Sequence, residues 1–123
     1  MVAIYKRERD HGGYLEAIAQ ADSASLPASC FVETIMVLER HASAKSDIEN
    51  FLEVNEIAVA PVDARVAKIA AEAFLRFGKG RGHPARLNFG DCLSYAVAKH
   101  LGAPLLYKGD DFIHTDIESA LSA

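Results

Sequence analysis

The stretch IAVAPVDARVAKIAAEAFLRF, residues 57–77, decides the fold class. Residues 57–62 are apolar and rich in β-branched side chains, which is typical of a strand covered on both faces in a parallel sheet. Asp63 is a good N-cap residue, and apolar side chains recur after it at helical spacing: Val66, Ile69, Ala70, Ala73, Phe74 and Phe77. A buried strand followed by an amphipathic helix predicts an α/β protein with a parallel sheet.

The residues before this stretch predict the same alternation of strands and helices. Residues 23–26 form a short strand candidate, and a helix can start at the proline that follows and run over residues 27–42. Residues 46–49 match the S-x-x-E capping box, which predicts another helix through residue 54. Residues 4–21 suggest one or two surface helices, broken at the adjacent glycines.

The C-terminal third of the chain predicts a further helix and strand around a distinctive loop. Asn88 can cap a helix that ends at Gly102, because glycine readily takes the left-handed conformation after a helix. Residues 104–107 are a second apolar strand candidate. Residues 78–87, GKGRGHPARL, form a loop rich in glycine and positive charge. We therefore expect a single α/β domain over residues 1–123.

Composition narrows the class of protein. The chain has 123 residues, 50% of them hydrophobic, which suits one globular domain. With 17 acidic and 13 basic residues the net charge is −4, so nucleic-acid binding would need a local basic patch. Cys30 and Cys92 lie in apolar stretches without metal-ligand spacing, and we expect both to be reduced core residues. No membrane span, signal peptide or P-loop is predicted, so we expect a cytoplasmic protein without membrane partners.

Three acidic positions are candidates for a metal site. Glu33 lies in an apolar stripe of its helix, although an acid at the edge of such a stripe can equally reach solvent. Asp91 lies in the first turn of its helix, where the helix dipole alone would favour a carboxylate. Asp110, followed by Asp111, comes directly after the last strand candidate, and ligand crevices lie at the carboxyl ends of strands. If these acids converge, their oxygens suit Mg²⁺.

The glycine-rich loop supplies the local cluster of positive charge on this acidic chain: Lys79, Arg81, His83 and Arg86, with Lys108 at the end of the last strand candidate. Phosphate groups are natural ligands of such a cluster, and a solvated loop is the alternative. Asp116 lies inside a T-x-x-E motif, which favours a structural capping role over a catalytic one.

These segments resemble a known family. GRGHPARLNFGDC (residues 80–92) and LNFGDCLSYAVAKHLGAPLLYKGDDFIHTDI (residues 87–117) are similar to the C-terminal half of VapC-type toxins, members of the PIN-domain ribonuclease superfamily. ASCFVETIMVLER (residues 28–40) resembles the second acidic motif of that family. The resemblance covers nearly the whole chain from Ile4 onward. It implies a PIN-like three-layer α/β/α fold with a mainly parallel central sheet.

The resemblance also implies an activity. VapC-type toxins of type II toxin–antitoxin systems are Mg²⁺- or Mn²⁺-dependent endoribonucleases, in which a metal-activated water attacks an RNA phosphodiester. Carried over residue by residue, Glu33 is the second acid, Asp91 the third and principal metal ligand, and Asp110 the fourth. A cognate antitoxin and a homodimer are implied as well. In such an enzyme the basic cluster would contact RNA phosphates, and we expect this of Arg81, Arg86 and Lys108.

One part of the family pattern is absent from this sequence. The pattern begins with a short apolar strand ending in an aspartate that binds the metal, whereas residues 1–4 resemble the start of the first helix that follows it. Asp10 lies well inside that helix and cannot replace the missing ligand. Two explanations stay open: a start site assigned too late, or a shortened, catalytically impaired PIN-like domain that binds antitoxin or RNA without turnover. The intact remaining acids favour the first.

Overall fold

The computed structural model describes Met1, Lys6 and residues 11–121. Within these residues, five helices, two strands and a short 3₁₀ helix follow one another in the order α1 (His11–Gln20), β1 (Ala24–Pro27), α2 (Ala28–Val37), α3 (Ala44–Val54), β2 (Ile57–Ala60), α4 (Ala64–Phe77), α5 (Phe89–Leu101) and the 3₁₀ helix (Asp111–His114). The backbone contacts divide the chain into two compact units, Met1–Ala60 and Pro61–Ala123. The α/β class is confirmed, and the single domain stays a prediction.

The first unit is built on a parallel pair of strands. Strands β1 and β2 pair with Ala24 opposite Ile57 and Pro27 opposite Ala60. Helices α2 and α3 connect the two strands, since parallel strands need a long crossover. The core beneath them centres on Leu38, Ala44, Ile48 and Leu52, with Leu26, Phe31, Ile35, Phe51 and Ile57 packed against it.

Two helix boundaries in the first unit differ from the sequence predictions. Helix α2 ends at Val37, earlier than expected, because the fully buried Leu38 turns the chain into the core and its carbonyl accepts the His41 N–H at 2.9 Å. Helix α3 begins at Ala44, so the predicted capping box at Ser46 is wrong. Burial of Ala44 decides the start of that helix, which places Ser46 inside its first turn.

The strand and helix predictions nearest these boundaries also need correction. Strand β2 stops at Ala60 because Pro61 has no N–H to continue the ladder, and the 47% exposure of Val59 shows that the strand is not covered on both faces.

Helix α1 runs through both glycines where a break was expected, anchored by the buried Tyr14. The rest of that helix prediction falls on residues 2–5 and 7–10, outside the described residues.

The second unit is a pair of packed helices, α4 and α5. Asp63 caps α4 as predicted, with its Oδ1 accepting the Val66 N–H at 2.9 Å. The predicted apolar stripe of α4 is buried at Val66, Ala70, Ala73 and Phe77, whereas Phe74 is 41% exposed. Gly102 ends α5 in the predicted left-handed conformation, with φ of 61°. Cys92 in α5 is buried and Cys30 of the first unit is half-buried, and the two cysteines form no disulfide.

The C-terminal segment is less regular than the sequence suggests. The predicted strand over residues 104–107 is reduced to one isolated parallel bridge between Leu105 and Ser119. The capping box predicted at Thr115 does not form: Thr115 ends the 3₁₀ helix, and its hydroxyl donates to the carbonyl of Phe112 at 2.7 Å. Within the described ranges, no helix is long and apolar enough to cross a membrane.

Candidate functional site

Asp91 is held in a defined position at the start of α5. Its backbone N–H donates to Oδ1 of Asn88 at 2.8 Å, and its own Oδ2 accepts the Asn88 N–H at 3.1 Å. This reciprocal capping box satisfies two N–H groups that the helix leaves without partners. Gly90 and Cys92 on either side are buried, so the first turn of α5 is anchored in the second unit. The structural role that the sequence allowed for Asp91 is therefore real.

The electrostatic surroundings of Asp91 go beyond a helix cap. Burial raises the pKa of the Asp91 carboxyl above its ordinary value; the hydrogen bond from the Asn88 N–H lowers it, and the negative charge of Asp111 raises it further. The net direction is upward, whereas an exposed capping carboxylate would have its pKa lowered. A second negative charge near a partly buried carboxylate favours a cation beside them.

The acids after the predicted last strand lie on the 3₁₀ segment. Asp110 directly precedes the 3₁₀ helix and Asp111 begins it, and both are exposed. Phe112 is buried and its ring centroid lies 5.1 Å from that of Tyr107, which fixes the segment. The residue whose charge acts on Asp91 is Asp111, which we did not predict as a ligand. Adjacent acids are equivalent in the sequence, so only the fold distinguishes them.

Glu33 belongs to the first unit and lies on an exposed face of α2. The apolar stripe around it is not core: Val32 is 55% exposed, Met36 67% and Val37 59%. Of the two interpretations of Glu33, the structure supports a carboxylate that reaches the surface. Across Met1, Lys6 and residues 11–121, no three His, Cys, Asp or Glu side chains are grouped closely enough to hold a metal ion. Convergence of Glu33, Asp91 and Asp110 stays a prediction.

The glycine-rich loop is closed at its base by two backbone hydrogen bonds. Leu87 donates its N–H to the carbonyl of Phe77, and its own carbonyl accepts the Lys79 N–H, each at 2.9 Å. Gly80 and Gly82 take the turns, with φ of 85° and 77°. The loop is thus a fixed projection between α4 and α5, directly before the Asn88 cap.

The basic residues of this loop have different roles. Nδ1 of His83 accepts the Ala85 N–H at 3.1 Å, and its ring meets the Phe77 ring edge-on at 5.0 Å, so His83 is a structural residue. Arg81 donates from Nε to the carbonyl of Leu75 at 3.4 Å and is exposed. Arg86 is exposed and has φ of 49°, a left-handed conformation that is unusual for arginine. These guanidinium groups can meet phosphates at the surface.

Asp116 is a structural acid, although not through the predicted capping box. Its carboxylate accepts the hydroxyl proton of Tyr95 and pairs with Lys99 at 2.9 Å and with Arg76 at 3.8 Å. Burial acts to raise the pKa of Asp116, but the hydrogen bonds from Tyr95 and Lys99 and the Lys99 charge outweigh it and hold the pKa below its ordinary value. This cluster joins the C-terminal segment to α4 and α5.

Comparison with known proteins agrees with this architecture. Residues 1–118 match the PIN domain family, and the chain belongs to that family. Within it, the chain is 43% identical over 123 residues to the VapC ribonuclease Mb0625 of Mycobacterium bovis, covering 98% of this chain and 92% of that protein. It is 39% identical over 122 residues to ribonuclease VapC42 of Mycobacterium tuberculosis, covering 98% of this chain and 93% of that protein.

A third relative extends the similarity beyond these species. Ribonuclease VapC of Mycolicibacterium smegmatis is 38% identical over 119 residues, which are 95% of this chain and 92% of that protein. Identity at this level over nearly the whole of both chains confirms the resemblance to VapC-type proteins and the PIN-like α/β fold.

Proposed function

We propose that this protein is a metal-dependent endoribonuclease toxin of a type II toxin–antitoxin system. The observation that carries the proposal is the pair formed by Asp91 and Asp111, in which a positioned, partly buried carboxylate is repelled by a second acid. The similar proteins of Mycobacterium bovis and Mycobacterium tuberculosis are named as ribonucleases, which supports RNA as the substrate of this acidic pair. The same relationship supports a cognate antitoxin, a homodimer and a cytoplasmic location as parts of the proposal.

The carboxylates of Asp91 and of the acids after Lys108 are of the ligand type that a divalent cation prefers. Carboxylate oxygens are the ligands that Mg²⁺ and Mn²⁺ prefer, and a cation beside Asp91 would offset its repulsion by Asp111. A bound cation supplies an activated water and neutralises charge on the phosphate. We assign Asp91 and Asp110 to it as ligands, with Asp111 next to Asp110. The family resemblance adds Glu33.

The residues of this chain orient the carboxylate and bind the substrate. Asn88 restricts the rotation of the Asp91 side chain through the capping box, so the carboxylate stays preorganised. Arg81 and Arg86 project from a loop fixed by its own backbone hydrogen bonds, and Lys108 is exposed just before the acidic pair. We assign these three cations to RNA phosphates, because guanidinium and ammonium groups set the register of a nucleic-acid strand.

The proposal is tested by cleavage of single-stranded RNA with Mg²⁺, with Mn²⁺ and with excess chelator. We expect cleavage with metal, none with chelator, and a loss of about 100-fold or more in Asp91→Asn. An amide oxygen at position 91 still accepts the Asn88 N–H, so this variant keeps the helix cap. Asp63→Asn is the matched control, because it makes the same chemical change at the cap of α4.

The outcomes separate the two functions that the sequence left open. Cleavage that continues in chelator, or at full rate in Asp91→Asn, contradicts the proposal. Tight binding of an antitoxin without any metal-dependent turnover supports the alternative, a catalytically impaired PIN-like domain that acts by binding.

A further inference from the structure

Phe89 is the most exposed large apolar side chain in the part of the chain that the structure describes, at 81%. It occupies the first position of α5, between the Asn88 cap and the buried Gly90. The fold does not use its ring, because the buried contacts of this segment come from Leu87 and Cys92 on either side. A phenylalanine ring exposed to water loses the favourable free energy that its burial would contribute to folding. The exposed ring of Phe89 is therefore better explained by binding of a ligand than by the stability of the fold.

Exposed charged and polar residues precede Phe89 in the chain. Arg86 lies three positions before it and is held in a strained, left-handed backbone conformation. Leu87, between them, is pinned to the end of α4 by its two backbone hydrogen bonds. The exposed Arg86 guanidinium and the exposed Phe89 ring therefore lie on either side of a residue, Leu87, whose backbone is fixed. The residue next to the ring in the chain, Asn88, is polar and exposed, so the ring does not belong to an apolar patch formed by its sequence neighbours.

We propose that Phe89 is an RNA-binding residue, whose ring stacks on an unpaired base next to the phosphodiester that is cut. This inference rests on the proposed ribonuclease function and names the form of its substrate. Single-stranded nucleic acid is bound by aromatic rings that stack on bases together with cations that hold the backbone. Phe89 supplies the ring and Arg86 and Arg81 supply the cations.

The spacing along α5 places Phe89 close to the carboxylate proposed to bind the metal. Phe89 and Asp91 are two positions apart in one helix, so their Cα atoms are about 5.4 Å apart while their side chains leave on different sides of the axis. Because both residues lie in the first turn of α5, a strand that crosses the N-terminal end of the helix can place a base on the Phe89 ring and a phosphate at the Asp91 carboxylate. A base in a duplex is already stacked and paired, so the site selects single-stranded RNA or a loop.

The test measures binding of a short single-stranded RNA that carries one fluorescent adenine analogue, in the Asp91→Asn background so that the strand stays intact. We expect Phe89→Ala to weaken binding by about 5- to 100-fold and to remove the quenching that stacking causes. Phe89→Trp should retain both, whereas Phe89→Leu should behave like the alanine variant, because it keeps the apolar volume without an aromatic face. Leu101→Ala, at the exposed far end of α5, is the matched control.

A second readout distinguishes stacking from charge. Removing an aromatic ring leaves the salt dependence of binding unchanged, whereas removing a phosphate contact such as Arg86 reduces its slope by about 0.7 per contact. Unchanged thermal unfolding of Phe89→Ala shows that the exposed ring is not needed for folding.

The failure of this inference is distinct from that of the proposed function. If the parent chain cleaves and binds RNA and Phe89→Ala binds equally well, Phe89 does not contact RNA. RNA binding by Phe89→Leu as tight as that of the protein with Phe89 would show a general apolar contact and overturn stacking. If Phe89→Ala keeps RNA binding but loses the antitoxin, the ring belongs to a protein interface. If the parent neither binds nor cleaves RNA, the proposed function itself is wrong.

Discussion

At the scale of single residues, Gly78 occupies a position where a side chain has no room. It ends α4 in the buried base of the basic loop, and its N–H donates to the carbonyl of Phe74 at 2.8 Å. A Cβ at this position would overlap both that carbonyl oxygen and the Phe74 ring. We expect Gly78→Ala to lower the free energy of unfolding by about 1–3 kcal/mol, because the overlap includes backbone that cannot move aside. Urea denaturation measures this loss.

The control for Gly78 lies in α1. An added Cβ at Gly13 meets no atom within 4 Å, and the helix should gain from alanine. Gly13→Ala should therefore leave the free energy of unfolding unchanged or raise it by about 1 kcal/mol or less. Equal losses in the two variants would show that the contact at Gly78 is not the cause.

Asp116 makes the stability of the second unit depend on pH. Its pKa is lowered in the folded chain, so the unfolded chain binds more protons in acid. The stabilisation is complete above the unfolded pKa, about 3.9, and is lost as the pH falls through the lower folded value. We expect Asp116→Asn to cost about 1 kcal/mol at pH 7, since its partners are partly exposed, and much less near pH 3.

Urea denaturation of the parent protein and of Asp116→Asn at pH 7 and at pH 3 measures how the stabilisation by Asp116 changes with pH. Tyr95→Phe removes one of the hydrogen bonds that lower the Asp116 pKa, so it should show a smaller loss with the same pH dependence. A penalty for Asp116→Asn that is the same at pH 7 and pH 3 would rule out the charged carboxylate as the source.

At the scale of elements, the cap of α5 links stability to the proposed activity. Asn88→Ala removes the acceptor for the Asp91 N–H and should lower the free energy of unfolding by about 1 kcal/mol. The Asn88 N–H that holds Asp91 Oδ2 is a backbone group and is kept in this variant, but the first turn of α5 that positions the Asp91 carboxylate loses its side-chain cap. We therefore expect kcat/KM for RNA cleavage to fall in protein that is still folded. Asn88→Ser retains a capping oxygen, so it should keep most of the stability and most of the kcat/KM.

Asp63→Ala provides the comparison for the Asn88 prediction. It removes the cap of α4, where Oδ1 accepts the Val66 N–H, and should reduce stability without changing kcat/KM. A loss of cleavage in Asp63→Ala equal to that in Asn88→Ala would mean that the effect is only destabilisation.

The element predictions that were confirmed depend on local signals. Asp63 and Asn88 each bond to an N–H three residues on, so the residues that form the cap lie within one turn. The capping boxes expected at Ser46 and Thr115 did not form, although both sites match the S/T-x-x-E pattern. Burial of Ala44 decides where α3 begins, and the bridge from Leu105 to Ser119 draws the segment after Thr115 into extended pairing. Such contacts lie outside the reach of a four-residue motif.

At the scale of the whole molecule, a net charge of −4 makes RNA binding depend on the local basic loop. We expect binding of single-stranded RNA to weaken with salt, and Arg81→Gln and Arg86→Gln each to reduce the slope of log Kd against log salt by about 0.7. Arg65→Gln, an exposed position in α4, is the control and should leave the slope unchanged. If the slopes of Arg81→Gln, Arg86→Gln and Arg65→Gln are equal, the loop does not contact phosphates.

The sequence by itself determined the family, the α/β class and the capped helices around Asp91, because motifs, periodicity and caps act over a few adjacent residues. Only the tertiary structure decided that Asp111 acts on Asp91, that Asp116 binds Tyr95, and that the ring of Phe89 is left in solvent. Each of these depends on segments that are distant in sequence; Tyr95 and Asp116 are separated by 21 positions. The electrostatic surroundings and the burial of a residue depend on its neighbours in space, and only folding brings together neighbours that are distant in the sequence.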